Sequence, residues 1–95
     1  MKRYTYPAIF VKDKEKDEFN VLFPDLEIVT DGRFVEEAYL YAKASLKQYF
    51  LYAEKFNLDY NYPSSFELVQ NTADKGEFVL LVDTEIDEKE LATKE

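Results

Sequence analysis

The sequence predicts an α+β domain: a small antiparallel sheet in the order β-β-β-α-β with one main helix packed on it. Three observations carry this reading. Four short segments (residues 4–11, 19–23, 28–30 and 77–82) are rich in aromatic and β-branched residues. One long segment, 34–56, repeats apolar residues at spacings of three and four. The first two strand segments are separated only by the charged run KDKEKDE, a length suited to a hairpin.

Taken in order, residues 4–11 alternate loosely and form the first strand. Pro7 lacks an N–H, so it belongs at an edge position or a bulge. Residues 12–18 have no apolar face and make a solvated loop. Phe19, Val21 and Phe23 share one side of the second strand, with Asn20 and Leu22 on the other, and Pro24 ends it. Residues 28–30 form a short third strand, and Asp31-Gly32 supplies a turn. In the helix, Val35, Ala38, Ala42, Leu46, Tyr49 and Ala53 make one continuous face. Glu36, Lys43, Lys47 and Glu54 mark the wet side. Glu36 and Glu37 suit the positive end of the helix dipole. Asp31 is the nearest cap candidate, since Arg33 and Phe34 are not capping residues. Asn57 or Asn61 stops the helix, and Pro63 prevents its continuing.

Residues 59–65 read as a loop, 66–69 as a brief extended piece and 74–76 as a turn. Residues 77–82 (EFVLLV) read as a buried last strand. From Asp83 onward, six acids face two bases, which suggests a short polar helix or frayed tail. The domain boundaries follow: 1–83 for the α+β domain and 84–95 for the acidic tail.

At 95 residues this is a single domain, and its 46% hydrophobic content is too high for a disordered acidic chain. Cysteine and histidine are both absent. That excludes disulfides, thiolate or imidazole metal sites, and every Cys-His or Ser-His-Asp mechanism. The three serines lie outside any nucleophile elbow. A net charge of −8 is the opposite of a nucleic-acid-binding footprint and is complementary to a basic protein. The N-terminus shows no apolar run, and the most apolar window, 34–53, carries too many charges to span a membrane. A cytoplasmic protein without signal peptide is therefore expected. Asp17, Asp25, Asp31 and Glu37 are the acids that a two-metal nuclease would need to converge. The chain's acids cluster in loops and the tail rather than mid-strand, where a metal site would fix them, so no catalytic residue, metal or cofactor is expected.

Sixteen aromatic residues fit either an interface or the filling of a core that has no tryptophan, and the helix helps to decide. Tyr39, Leu40, Tyr41, Phe50, Leu51 and Tyr52 spread round the helix beyond its core face. One sheet cannot cover all of them, and exposed apolar patches mark interfaces. A homo-oligomer is expected, with Tyr41, Phe50 and Tyr52 as interface candidates.

The motifs Tyr6-Pro7-Ala8-Ile9-Phe10, Phe23-Pro24-Asp25-Leu26, Thr30-Asp31-Gly32, Val35-Glu36-Glu37-Ala38, Ala42-Lys43 with Leu46, and Pro63-Ser64 together resemble the HicB family of antitoxins. The likeness covers residues 4–65, and residues 77–82 match the family's last strand. The sequence departs from the family at Glu27-Ile28, where Pro-Gly is usual, and at Arg33-Phe34, where an Asp-Thr cap precedes the helix. It also leaves no room after Val82 for the family's usual C-terminal DNA-binding domain, so no direct nucleic-acid binding is expected. The resemblance implies a partly degraded RNase H-like fold used to bind and neutralise a small basic RNA-cleaving toxin (HicA-like). Alternatives are a stand-alone oligomeric module with no toxin partner and a metal-dependent RNase H-like nuclease. Phe23, Pro24, Asp25 and Leu26 are the toxin-interface candidates, because Pro24 stiffens a segment that sets a carboxylate beside two apolar side chains.

Overall fold

The computed structural model describes residues 1–92. Its elements are β1 (Lys2–Asp13), β2 (Glu18–Phe23), β3 (Ile28–Gly32), α1 (Val35–Lys55), α2 (Phe66–Thr72), β4 (Phe78–Ile86) and α3 (Glu88–Ala92). The strands form one antiparallel sheet in the order β3-β2-β1-β4, with α1 packed on it, as the sequence predicts.

β1 is the long central strand. It pairs with β4 from Lys2↔Ile86 to Phe10↔Phe78, but with β2 only from Ile9↔Leu22 to Asp13↔Glu18. Pro7 therefore lies in a central strand yet beside a single neighbour, Leu81 of β4. The hairpin loop is tighter than the charged run suggested. β1 and β2 extend into it, and the Asp13 carboxylate accepts hydrogen bonds from the Glu15 and Lys16 amides at 3.1 and 3.3 Å.

Side-chain alternation sorts the sheet into two faces. Tyr6, Ala8 and Phe10 of β1, Val21 and Phe23 of β2, and Val82 and Ile86 of β4 pack with Ala38, Ala42, Leu46 and Phe50 of α1 in the main core. Phe50 corrects the interface expectation, because its side chain is 0% exposed. Residues 46, 49 and 53 follow a helical spacing, but so do 46, 50 and 53. The sequence cannot choose between adjacent aromatics; Tyr49 ends half-buried and Phe50 fully inside. Glu54, expected on the wet side, turns inward to Tyr4 and Lys2.

Asp31-Gly32 is no turn. β3 runs through both residues, which pair with Asn20 and Phe19. Glycine is required at 32 by close approach: a Cβ there would lie 2.4 Å from the Ala38 nitrogen. The chain turns at Arg33 and Phe34 instead. Asp31 does not cap the helix; Phe34 stands at the N-cap with no side-chain bond, while the Glu37 carboxylate accepts from the Arg33 amide at 2.8 Å. At the other end Asn57 takes φ 55°, and Leu58 N–H donates to Ala53 C=O at 2.8 Å, a Schellman stop.

Two further corrections concern the C-terminal third. Residues 66–69 are helical, not extended, because the Ser65 hydroxyl accepts from the Leu68 amide at 3.1 Å and caps α2. β4 also continues through the expected 83/84 boundary to Ile86, burying Thr84 and Ile86. The acidic segment thus supplies the end of a strand before α3, whose Glu90 pairs with Lys47 at 2.8 Å. Residues 93–95 of the expected tail lie outside the described residues.

Candidate protein-interaction surfaces

The segment 23–26 forms a tight reversal after β2, with the Leu26 and Glu27 amides donating to Phe23 C=O at 3.2 and 2.8 Å. Phe23 is 0% and Leu26 9% exposed, so these two interface candidates belong to the core. Pro24 is exposed and Asp25 half-buried. The Asp25 carboxylate accepts from the Ser64 amide at 2.8 Å and the Ser64 hydroxyl at 2.6 Å. Its carbonyl accepts from Asn61 Nδ2 at 2.9 Å. Asp25 thus fastens the loop after α1 to the β2–β3 reversal. The motif residues Asp25 and Ser64, far apart in sequence, meet as one clamp.

The outer side of α1 and its C-cap carry two exposed apolar groups, separated by Lys43 and Gln48. Leu40, Tyr41, Tyr52 and Phe56 are 62%, 49%, 61% and 55% exposed, and the Tyr52 and Phe56 rings lie 4.7 Å apart. Of the three self-association candidates, Tyr41 and Tyr52 therefore face outward. Tyr52 and Phe56 also border a cleft of about 310 Å³ between α1 and α3.

The sheet face away from α1 carries a cross-strand row, Val79–Ile9–Leu22–Val29, one residue from each strand. Its burial fades from β4 to β3: Val79 is buried, Ile9 half-buried, and Leu22 and Val29 exposed. α2 contacts β1 and β4 and buries Val69, which leaves the β2–β3 end of the row open.

Tyrosines gather where β1 runs without β2. The Tyr4 ring stacks on Phe50 at 3.8 Å between centroids, and Tyr60 meets both rings edge-on. The Tyr4 hydroxyl donates to Glu54, whose other carboxylate oxygen accepts from Lys2 at 3.1 Å. The Tyr4 bond, then the Lys2 bond, holds the Glu54 carboxyl below its ordinary range. The Tyr6 hydroxyl donates to the Asn61 carbonyl at 2.6 Å. Burial first, and nearby Tyr60 and Asp25 next, push the Tyr6 phenol up to about 12. Burial and the Glu54 bond likewise raise the Tyr4 phenol. A groove of about 180 Å³ opens here, lined by Arg3, Tyr4, Thr5, Tyr6, Tyr60, Tyr62 and Pro63. Sequence reasoning missed it; the signal available was Tyr60 and Tyr62 bracketing Asn61 just before Pro63.

The four acids considered for a nuclease are dispersed. Asp17 pairs with Lys12 at 2.8 Å and Glu37 with Arg33 at 2.9 Å; Asp25 holds Ser64, and Asp31 is exposed on β3. Among the described residues, no three or more acidic side chains are grouped to hold a metal ion. No described helix is long and apolar enough to cross a membrane.

No family model and no curated protein matches the chain. Its fold is shared with a chain of a solved toxin–antitoxin complex from Streptococcus pneumoniae. The TM-score is 0.77 at 22% identity, over 93% of this chain and 73% of that one.

Proposed function

We propose that this chain is an antitoxin-like protein that binds and neutralises a small basic RNA-cleaving toxin, HicA-like in kind, by protein–protein contact and without catalysis of its own. The observation that carries the reading is the fold held in common, over nearly the whole chain, with a component of a toxin–antitoxin complex. The HicB-like motifs and the net charge of −8 support it, since a protein that grips RNA is cationic. On this reading the scaffold is a partly degraded RNase H-like fold, the acids serve as ion-pair and loop-fastening groups, and the protein works in the cytoplasm.

The outer side of α1, with its two exposed apolar groups, favours a second element of the reading, self-association through Tyr41 and Tyr52 with Leu40 and Phe56. Two copies of this face are the natural cover for each other, because a lone helix side with four large apolar residues in water is unfavourable.

The test is co-expression with the product of a neighbouring short, basic reading frame. The expected result is that the frame alone arrests growth and the pair grows and co-purifies. A folded, abundant chain that leaves the arrest unchanged overturns the reading. Light scattering that shows one 11.2 kDa chain per particle at micromolar concentration overturns self-association.

A further inference from the structure

We propose that the groove beside the N-terminal half of β1 takes an extended, lysine- or arginine-bearing segment of the partner protein, added as a strand along Arg3 and Thr5. This rests on the antitoxin reading for the partner's basic character.

The geometry begins with where β2 stops. Its pairing with β1 starts at Ile9, because the reversal at Pro24 turns the chain away to β3. Arg3, Thr5 and Pro7 therefore have a strand neighbour on one side only, β4. Proline has no N–H to donate, so in a ladder its nitrogen faces away from the paired strand. Residues two apart point the same way. The N–H and C=O groups of Arg3 and Thr5 thus aim at the unoccupied side. Among the described residues no loop backbone hydrogen bond reaches either of them.

The groove lies at this opening. It is lined by four consecutive β1 residues, Arg3 to Tyr6, which belong alternately to the two faces of the sheet. Only a groove at a strand's edge touches both faces. Its far wall is Tyr60, Tyr62 and Pro63 from the loop that Asp25 and Tyr6 fasten in place. Such an arrangement meets the needs of strand addition: free backbone groups along one wall, and rings for alternate side chains along the other.

The chain's overall charge selects the occupant. The charged residue in the groove's lining is Arg3; the acids nearby are Glu54, Asp83, Glu85 and Asp25, with Lys2 and Lys43 as the other cations. Arg3 is already paired with Glu85 at 2.8 Å and Asp83 at 3.5 Å, and Lys2 with Glu54. Asp83 also meets Lys43 at 3.4 Å and the Asp25 carboxylate is held by Ser64, so the preference for a basic segment comes from the chain's net charge of −8. Tyr62, 83% exposed, offers a ring face to an incoming ammonium or guanidinium group.

The test uses the isotope-labelled full chain and two synthetic probes, Lys-Val-Lys-Val-Lys-Val and Glu-Val-Glu-Val-Glu-Val, followed by amide NMR up to millimolar concentration. The lysine peptide should shift and protect the Arg3 and Thr5 amides, and the glutamate peptide should not. Tyr62→Ala, at an exposed ring that meets Tyr60 edge-on at 6.5 Å, should weaken binding about tenfold with a nearly unchanged melting temperature. Thr5→Pro should abolish it; if that variant does not fold, Tyr62→Ala decides alone. No shift, equal shifts with both peptides, or shifts centred on Leu22 and Val29 overturn the proposal. The toxin assay separates the two readings. A wild-type chain that protects cells, with Tyr62→Ala and Thr5→Pro protecting equally, removes the groove and keeps the antitoxin. A chain that binds the lysine peptide at Arg3 and Thr5 but never protects keeps the groove and removes the antitoxin.

Discussion

At its N-terminal end α1 meets the sheet backbone to backbone, with Ala38 against Gly32 and no side-chain cap. At its C-terminal end the same helix is held by a stack of rings, Tyr4 on Phe50 with Tyr60 edge-on, and by the Glu54 carboxylate bridging Tyr4 and Lys2. The first joint depends on the absence of atoms, the second on the presence of many. A joint made by close approach tolerates no added methyl. A joint made of rings and hydrogen bonds can be taken apart one group at a time, and it also positions the loop that walls the tyrosine groove. The joint beside the candidate binding groove includes the Glu54 carboxyl and the Tyr4 and Tyr6 phenols, so its strength depends on pH.

The largest expected effect is Phe50→Ala. It removes a fully buried ring and the partner of four tyrosines, and should cost about 4 kcal/mol in chemical denaturation. A cost below about 1 kcal/mol would mean that the aromatic end does not carry the helix. Gly32→Ala comes next. Its methyl would sit 2.4 Å from a backbone nitrogen, so α1 must move off β3, at about 3 kcal/mol. A melting temperature equal to that of the unaltered chain would show that this joint is looser than its geometry.

Tyr4→Phe keeps the stack and deletes only the hydroxyl, so it should cost about 1.5 kcal/mol at neutral pH. It should also change the acid limb of the stability curve. The folded Glu54 carboxyl is held below its unfolded value, so its contribution is fully present above the unfolded pKa and is lost as pH falls through the lowered one. In Tyr4→Phe that loss should shrink, because the larger cause of the shift is gone. At the alkaline end the sign reverses. The Tyr6 phenol is raised to about 12, so stability should fall as pH climbs from the unfolded tyrosine value towards that figure. Urea midpoints across pH would check both limbs; an acid limb identical in the variant would break the assignment to Glu54.

The smallest effect concerns the helix stop. Asn57 holds φ 55°, so Asn57→Ala should lose about 1 kcal/mol, whereas Asn57→Gly should stay within a few tenths. Equal losses in both would mean that the Asn side chain, not the backbone conformation, ends the helix.

Much of this was legible in the residues. Alternation in 19–23, the three- and four-residue spacing of 34–56 and the apolar run of 77–82 reflect burial against a neighbouring layer, and burial is imposed on the sequence one residue at a time. The sequence could not say which of Tyr49 and Phe50 turns inward. Nor could it tell that Phe23 and Leu26 are core, or that Asp31-Gly32 prolongs a strand. Each of these depends on what stands opposite. Residues 66–69 misled for the same reason: four residues of which three are apolar fit a strand or a helix, and the Ser65 cap with one buried side chain, Val69, chose the helix.

The sequence by itself determined the α+β class, the order of the main elements, the acidic surface and the exclusion of thiol and imidazole chemistry. Composition and periodicity are local properties, and these features follow from them. Only the tertiary structure decided that β2 ends short of Arg3 and Thr5, that Tyr60 and Tyr62 come to stand beside them, and that Asp25 meets Ser64. Those are meetings between residues distant in the chain. They are set by where β1 finds its partners and where α1 lets the chain turn back, which no local pattern records.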